Sequence, residues 1–286
     1  MCPCANYLDM ALLKLPSRKP DLATFAGLAI AVVGIAGGLL LEGGKLSDIT
    51  QLTAALIVLG GTTGAVMVTT PRHLLVSAVK KLPLIFWQPD ASATAVIQQL
   101  QGFAIKARKS GLVSLDAEVD DIEDHFLRKA LMLAIDGTDL KEVRRMMEAE
   151  MAAAEQYGEA EAKVFESAGG YAPTVGIIGA VLGLIQVMKH LEDLEAVGHG
   201  IAVAFVATVY GVSLANLFFL PVANKLKARL QLAIQINELA LEGVIAVAEG
   251  LNPRLIESKL EPFKHALGEP AVRQSRQRRT KARAAA

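Results

Sequence analysis

Hydrophobic positions in this chain gather into long runs almost free of charge, separated by segments where apolar residues return to helical spacing. DLATFAGLAIAVVGIAGGLLL and QLTAALIVLGGTTGAVMVTT predict a first pair of membrane helices over 22–41 and 51–70. YAPTVGIIGAVLGLIQVM and GIAVAFVATVYGVSLANLFFLP predict a second pair over 171–190 and 201–221. Each run reaches the roughly 20 residues a helix needs to cross a bilayer. The link EGGKLSDIT is short, so the first two spans form an antiparallel hairpin.

Between the pairs, residues 71–168 carry amphipathic stripes. One helix starts at Asp90 or Ser92, buries Val96, Leu100, Phe103 and Ala107, and ends at Gly111. A second, over 116–135, presents Val119, Ile122, Phe126 and Ala130 behind an acidic opening that suits the helix dipole. A third begins at Asp139 with Glu142 in capping-box spacing. The expected fold class is all-α: a polytopic membrane protein with four transmembrane helices and a helical cytoplasmic domain between helices 2 and 3. Its divisions are an extension over 1–20, a hairpin over 21–70, the cytoplasmic domain over 71–168, a second transmembrane pair over 169–224, cytoplasmic helices over 225–268 and a basic, disordered tail over 269–286.

The second pair has the more informative detail. Gly176, Gly179, Ala180 and Gly183 share one face of the third span; Gly200, Ala204, Ala207, Gly211 and Ala215 share one face of the fourth. In lipid, such faces mark helices that pack closely, because burying one apolar helix against another gains little hydrophobic free energy. Gly60 and Gly64 form a GxxxG, a weaker signal. Thr174 and Thr208 place hydroxyls in the second pair; each can bond its own backbone or face an ion path. Pro221 interrupts the helix leaving the fourth span, which predicts a kink. Apart from Asp21, which opens the first run ahead of the span over 22–41, no Asp, Glu, Lys or Arg lies inside any of the four runs, so an ion crossing here needs a carrier from another chain.

Composition narrows the class further. Of 286 residues, 52% are hydrophobic and only 5% aromatic, which suits packed membrane helices better than a barrel with aromatic girdles. Cys2 and Cys4 cannot fill a metal site, the five histidines lack ligand spacing, and no phosphate-binding glycine loop or hydrolase elbow occurs. The reading is therefore no enzyme, no cofactor and no metal. Lys14, Arg18 and Lys19, then Arg72, Lys80 and Lys81, then Lys225, Lys227 and Arg229 flank the spans on one side, which puts both termini in the cytoplasm. The tail EPAVRQSRQRRTKARAAA lacks interleaved aromatics and suits anionic lipid rather than nucleic acid. In ARKSGLVSLD, Arg108 and Asp116 flank a glycine break, either as a solvated surface pair or as a docking patch.

DLATFAGL, ARKSGLVSLD, YAPTVGIIGAVLGLI, the fourth-span run and NPRLIESKLEPF together resemble the MotA family of flagellar motor stator proteins, from Asp21 to about Phe263. The resemblance implies a multi-pass subunit of the bacterial inner membrane, five copies of which surround two copies of a MotB-like single-span partner. That partner carries the ion-binding Asp, and the ring turns a FliG-like rotor protein. It further implies that Arg108 and Asp116 face the rotor, that Pro173 and Pro221 are coupling prolines, and that Thr174 and Thr208 line the ion pathway. The family usually has Glu where this chain has Asp116, and Glu118 could share that role. Sodium-driven relatives tend to carry threonine where this chain has Ala180. An alanine leaves a sodium ion short of an oxygen, so H+ rather than Na+ is the expected ion. A TolQ/ExbB-type energiser, normally with three spans, and a non-conducting scaffold are the alternatives.

Overall fold

A computed structural model describes residues 19–88 and 92–266. The expectations for residues 1–18 and for the tail over 269–286, and Asp90 as a helix cap, lie outside them. The described chain is all-α apart from one antiparallel pairing of Lys19–Pro20 with Trp87–Gln88, the fold class its hydrophobic pattern predicts. It divides into two compact units, one made of residues 19–88 and 156–229, the other of residues 92–155 and 230–266.

The first unit holds the membrane-competent helices. Asp21 starts α1 (Leu22–Leu41), its carboxylate accepting from the Thr24 N–H at 3.3 Å. No residue of α1 is buried, and Ile30 is 72% exposed, as fits a helix whose surroundings are lipid. Helix α2 (Leu52–Thr69) buries Ala54, Val58, Thr62 and Val66, a strict i,i+4 stripe. Pro71, which has no N–H to donate, ends that helix and sits directly before α3 (Arg72–Lys81). Two longer elements complete the unit: residues 156–189 of α7 (Leu140–Lys189) and α8 (Leu194–Ser213) with its continuation into α9 (Leu220–Ala248).

The second unit is a helical bundle. Ser92 caps α4 (Ala93–Ser110), accepting from the Ala95 N–H at 3.4 Å, and Gly111 ends it at φ +85°, a conformation open to glycine but strained for other residues. Leu100 and Phe103 are buried while Val96 and Ala107 pack at the margin, so the inward face is rotated by about one residue from the expected stripe. The helix expected over 116–135 is broken into α5 (Asp116–Val119) and α6 (His125–Ile135). The break has a local cause: Asp124 caps α6 through the Leu127 N–H at 2.8 Å, and Arg128 donates to the carbonyls of Asp120 and Ile122 that a continuous helix would have used. The face survives the break, since Val119, Ile122, Phe126 and Ala130 are all buried. Residues 140–155 of α7, residues 230–248 of α9 and α10 (Pro253–Ala266) close the core around Leu131, Met147, Leu239 and Leu260.

Candidate functional site

Helices α7 and α8 approach until their backbones touch. A methyl built on Gly176 would stand 2.9 Å from the Ala207 carbonyl oxygen, one on Gly183 2.8 Å from both the Ala204 nitrogen and the Gly200 oxygen, and one on Gly211 2.5 Å from the Ala172 oxygen. Any side chain larger than hydrogen would separate the pair. Gly60 and Gly64 meet nothing within 4 Å, whereas Gly61 packs on Val175, so the GxxxG is not the contact made within this chain. The turn joining the pair is closed by Asp193, whose carboxylate accepts from the N–H groups of Glu195 at 3.0 Å and Ala196 at 3.2 Å.

Away from that seam, Ile177, Ile178 and Val181 of α7 and Phe205, Val209 and Val212 of α8 stay exposed. Thr174 is exposed and donates to the Tyr171 carbonyl at 2.8 Å. Thr208 is half-buried and donates to the Ala204 carbonyl at 3.1 Å. Both hydroxyls therefore bond their own helices, while each oxygen keeps lone pairs with which to accept. Ala180 is half-buried and brings only a methyl group. Pro173 sits half-buried inside α7, which continues through it as a helix. Ahead of the exposed Pro221 the chain forms a π-helical turn, Leu214–Phe219. A widened turn there makes room for a proline ring that would otherwise press on the carbonyl four residues back.

Arg108 and Asp116 belong to the other unit. Both are exposed, and neither forms an ion pair among the described residues. Glu118 is held by Lys106 across the loop, which leaves Asp116 as the unengaged carboxylate beside the glycine break.

Two polar clusters in the membrane-competent unit escaped the sequence reading. Glu161 and Lys81, 1% and 3% exposed, pair with each other, and Ser77 also donates to Glu161. The signal was present, since Glu161 lies on one helical stripe with Phe165 and Ala168, and Ser77 and Lys81 share another. Asp21 accepts from Lys225, which also meets Thr24, while Arg229 donates to the Ile85 carbonyl at 3.1 Å. The Lys225 ammonium, with help from Thr24, holds the Asp21 carboxyl below the usual carboxylate range despite the opposing cost of burial. Lys227 pairs with Glu166 at 2.6 Å. The basic residues flanking the fourth span thus tie the helix ends together.

Helices that touch through their backbones, carry no charge along the spans and leave an apolar face uncovered define a subunit of a multi-helix membrane assembly. Residues 118–238 match the MotA/TolQ/ExbB proton channel family, and residues 25–111 match the Motility protein A N-terminal region. Motility protein A of Bacillus subtilis (strain 168) is 35% identical over 84% of this chain and 89% of its own length. That of Helicobacter pylori (strain ATCC 700392 / 26695) is 37% identical over 87% and 97%. The solved structure of C. jejuni MotAB superposes with a TM-score of 0.81 at 35% identity, covering 85% of this chain and 95% of that one. This chain belongs to the Motility protein A family.

Proposed function

We propose that this chain is the stator subunit of a flagellar motor, which with a MotB-like single-span partner couples proton flow across the inner membrane to torque on a FliG-like rotor protein. The observation that carries this reading is the seam between α7 and α8: close-packed, and with no Asp, Glu, Lys or Arg between Tyr171 and Met188 or between Gly200 and Pro221. A charge at the bilayer centre costs several kcal/mol, roughly 3 on insertion scales. Protonation of an aspartate on the partner removes that charge and lets it pass the wall, and a potential of 100 mV supplies ~2.3 kcal/mol for each charge that crosses. The match of residues 25–111 to the Motility protein A N-terminal region favours a stator over a TolQ/ExbB-type energiser.

In this reading five copies ring two partner chains, both termini are cytoplasmic, and the spans divide as the hydropathy pattern predicts. Thr174 and Thr208 offer lone pairs beside the carrier, Pro173 and Pro221 transmit the step, and Arg108 and Asp116 meet the rotor. Ala180 supplies no oxygen for a dehydrated Na+ ion, which supports H+. The test is proton uptake by cells expressing this chain with its partner, compared with a partner lacking its aspartate. Uptake should require that carboxylate; equal uptake without it would leave the wall with another carrier and end the mechanism. Swimming speed should follow proton-motive force and not external sodium at constant pH.

A further inference from the structure

The loop between Arg108 and Asp116 is stiffer than its glycine suggests, and its apex is apolar. Gly111 at φ +85° turns the chain into a 3-10 segment, Leu112–Leu115. Leu115 is fully buried and Leu112 packs against the core, which anchors the loop from beneath. The Ser114 hydroxyl closes the turn by donating to the Gly111 carbonyl at 2.6 Å. Lys106 and Glu118 pair across its base, and Arg128 holds the following turn through the Asp120 carbonyl at 2.9 Å and the Ile122 carbonyl at 3.0 Å. On this braced loop Val113 is 71% exposed, more than any other large hydrophobic residue described in its unit, the next being Leu255 at 59%. Arg108 and Lys109 precede it and Asp116 and Asp120 follow it, all exposed and none in an ion pair among the described residues.

A single exposed valine on a loose loop is ordinary. Here the loop is fixed by a buried leucine, a hydroxyl, an ion pair and a guanidinium, so docking its tip costs little ordering entropy. An apolar centre between charges of opposite sign is the anatomy of an interface anchor with its polar rim. We propose that Val113 is the apolar anchor of the rotor-facing surface. It inserts into an apolar socket that lies between an acidic patch, met by Arg108 and Lys109, and a basic patch, met by Asp116 and Asp120. The charges steer the encounter and set its register, while the valine supplies the part of the affinity that salt does not screen. This inference rests on the stator reading above.

The experiment titrates purified rotor protein onto the intact stator complex, this chain with its partner in nanodiscs, at 50 mM and 500 mM salt. Loss of two methyl groups in Val113→Ala should weaken binding about tenfold at both salt concentrations. Val113→Thr, which keeps the shape and removes the apolarity, should also weaken it, and Val113→Ile should bind as the natural protein does. Arg108→Glu and Asp116→Lys should weaken binding at 50 mM and much less at 500 mM. Unchanged binding by Val113→Ala and Val113→Thr, beside weakened binding by the charge reversals, would overturn the anchor and leave the rotor-facing charges standing. If neither the valine variants nor the reversals change binding, this loop does not face the rotor, and the anchor and the rotor-facing charges fall together while the stator reading keeps its separate proton-uptake test. Loss of subunit assembly in Val113→Ala on size exclusion would make the valine a contact between copies, which also overturns the anchor.

Discussion

Gly211→Ala places a methyl group 2.5 Å from the carbonyl oxygen of the fully buried Ala172 and 3.2 Å from the Pro173 Cα. Ordinary carbon to oxygen contact begins at about 3.4 Å, so α8 has to retreat by roughly 0.9 Å. It cannot relieve the clash by rotating a side chain, because backbone stands on both sides. The same retreat loosens the contacts that Gly176 and Gly183 make further along the seam. Overpacking of this kind costs about 1–3 kcal/mol, and rigid backbone puts this site near the upper end. Alanine returns about 1 kcal/mol of helix propensity, which leaves a net loss of about 2 kcal/mol, or roughly thirtyfold in the folded-to-unfolded ratio. Gly170 and Gly198, in the same two helices, meet nothing within 4 Å, so alanine there should be neutral or mildly stabilising. The assay is the temperature at which half of the detergent-solubilised complex is lost from its size-exclusion peak. Gly211→Ala should lower that midpoint, while Gly170→Ala and Gly198→Ala should not. Equal midpoints for all three would refute the idea that backbone contact holds this seam.

Lys81→Met should leave Glu161 as an unpaired buried carboxylate and destabilise by about 3–5 kcal/mol, whereas the double variant Lys81→Met with Glu161→Leu should recover most of the loss. Thermal midpoints of the two proteins decide this, and a double variant no better than the single would show that the pair contributes through something other than charge compensation. Glu242 provides a pH test in the helical bundle. A hydrogen bond from Arg144, with further support from Lys259, holds its carboxyl below the usual carboxylate range even though burial opposes this. Its folded-state pKa is depressed, so its stabilisation is complete above the unfolded value of about 4.3 and is lost as pH falls through the lower folded value. Acid titration followed by far-UV circular dichroism should show that loss in the natural protein, and Glu242→Gln should lack that component.

What the residue pattern determined was whatever depends on near neighbours along the chain. Four long apolar runs predict membrane helices, the small-residue faces of the third and fourth spans mark close packing, and Gly111 and Gly137 end helices with φ at +85° and +77°. The buried faces of α4 and α6 followed from the same 3.6-residue periodicity, to within about one position. The break between α5 and α6 was hidden because Asp124 is one of several acids in DAEVDDIED, and only the folded position of Arg128 singles out which carbonyls leave the helix. Pro221 predicts a kink from sequence, and the structure places a π turn over Leu214–Phe219 ahead of it, since a helix can accommodate a proline ring in more than one way. Tertiary structure alone decided the partners of charge. Lys81 finds Glu161 80 residues away and Lys225 finds Asp21 204 residues away, while Gly61 rather than Gly60 or Gly64 meets Val175. Helical periodicity is a local property that every turn repeats. Which helices become neighbours, and which of their polar groups must then be matched in a dry interior, depends on how the whole set packs.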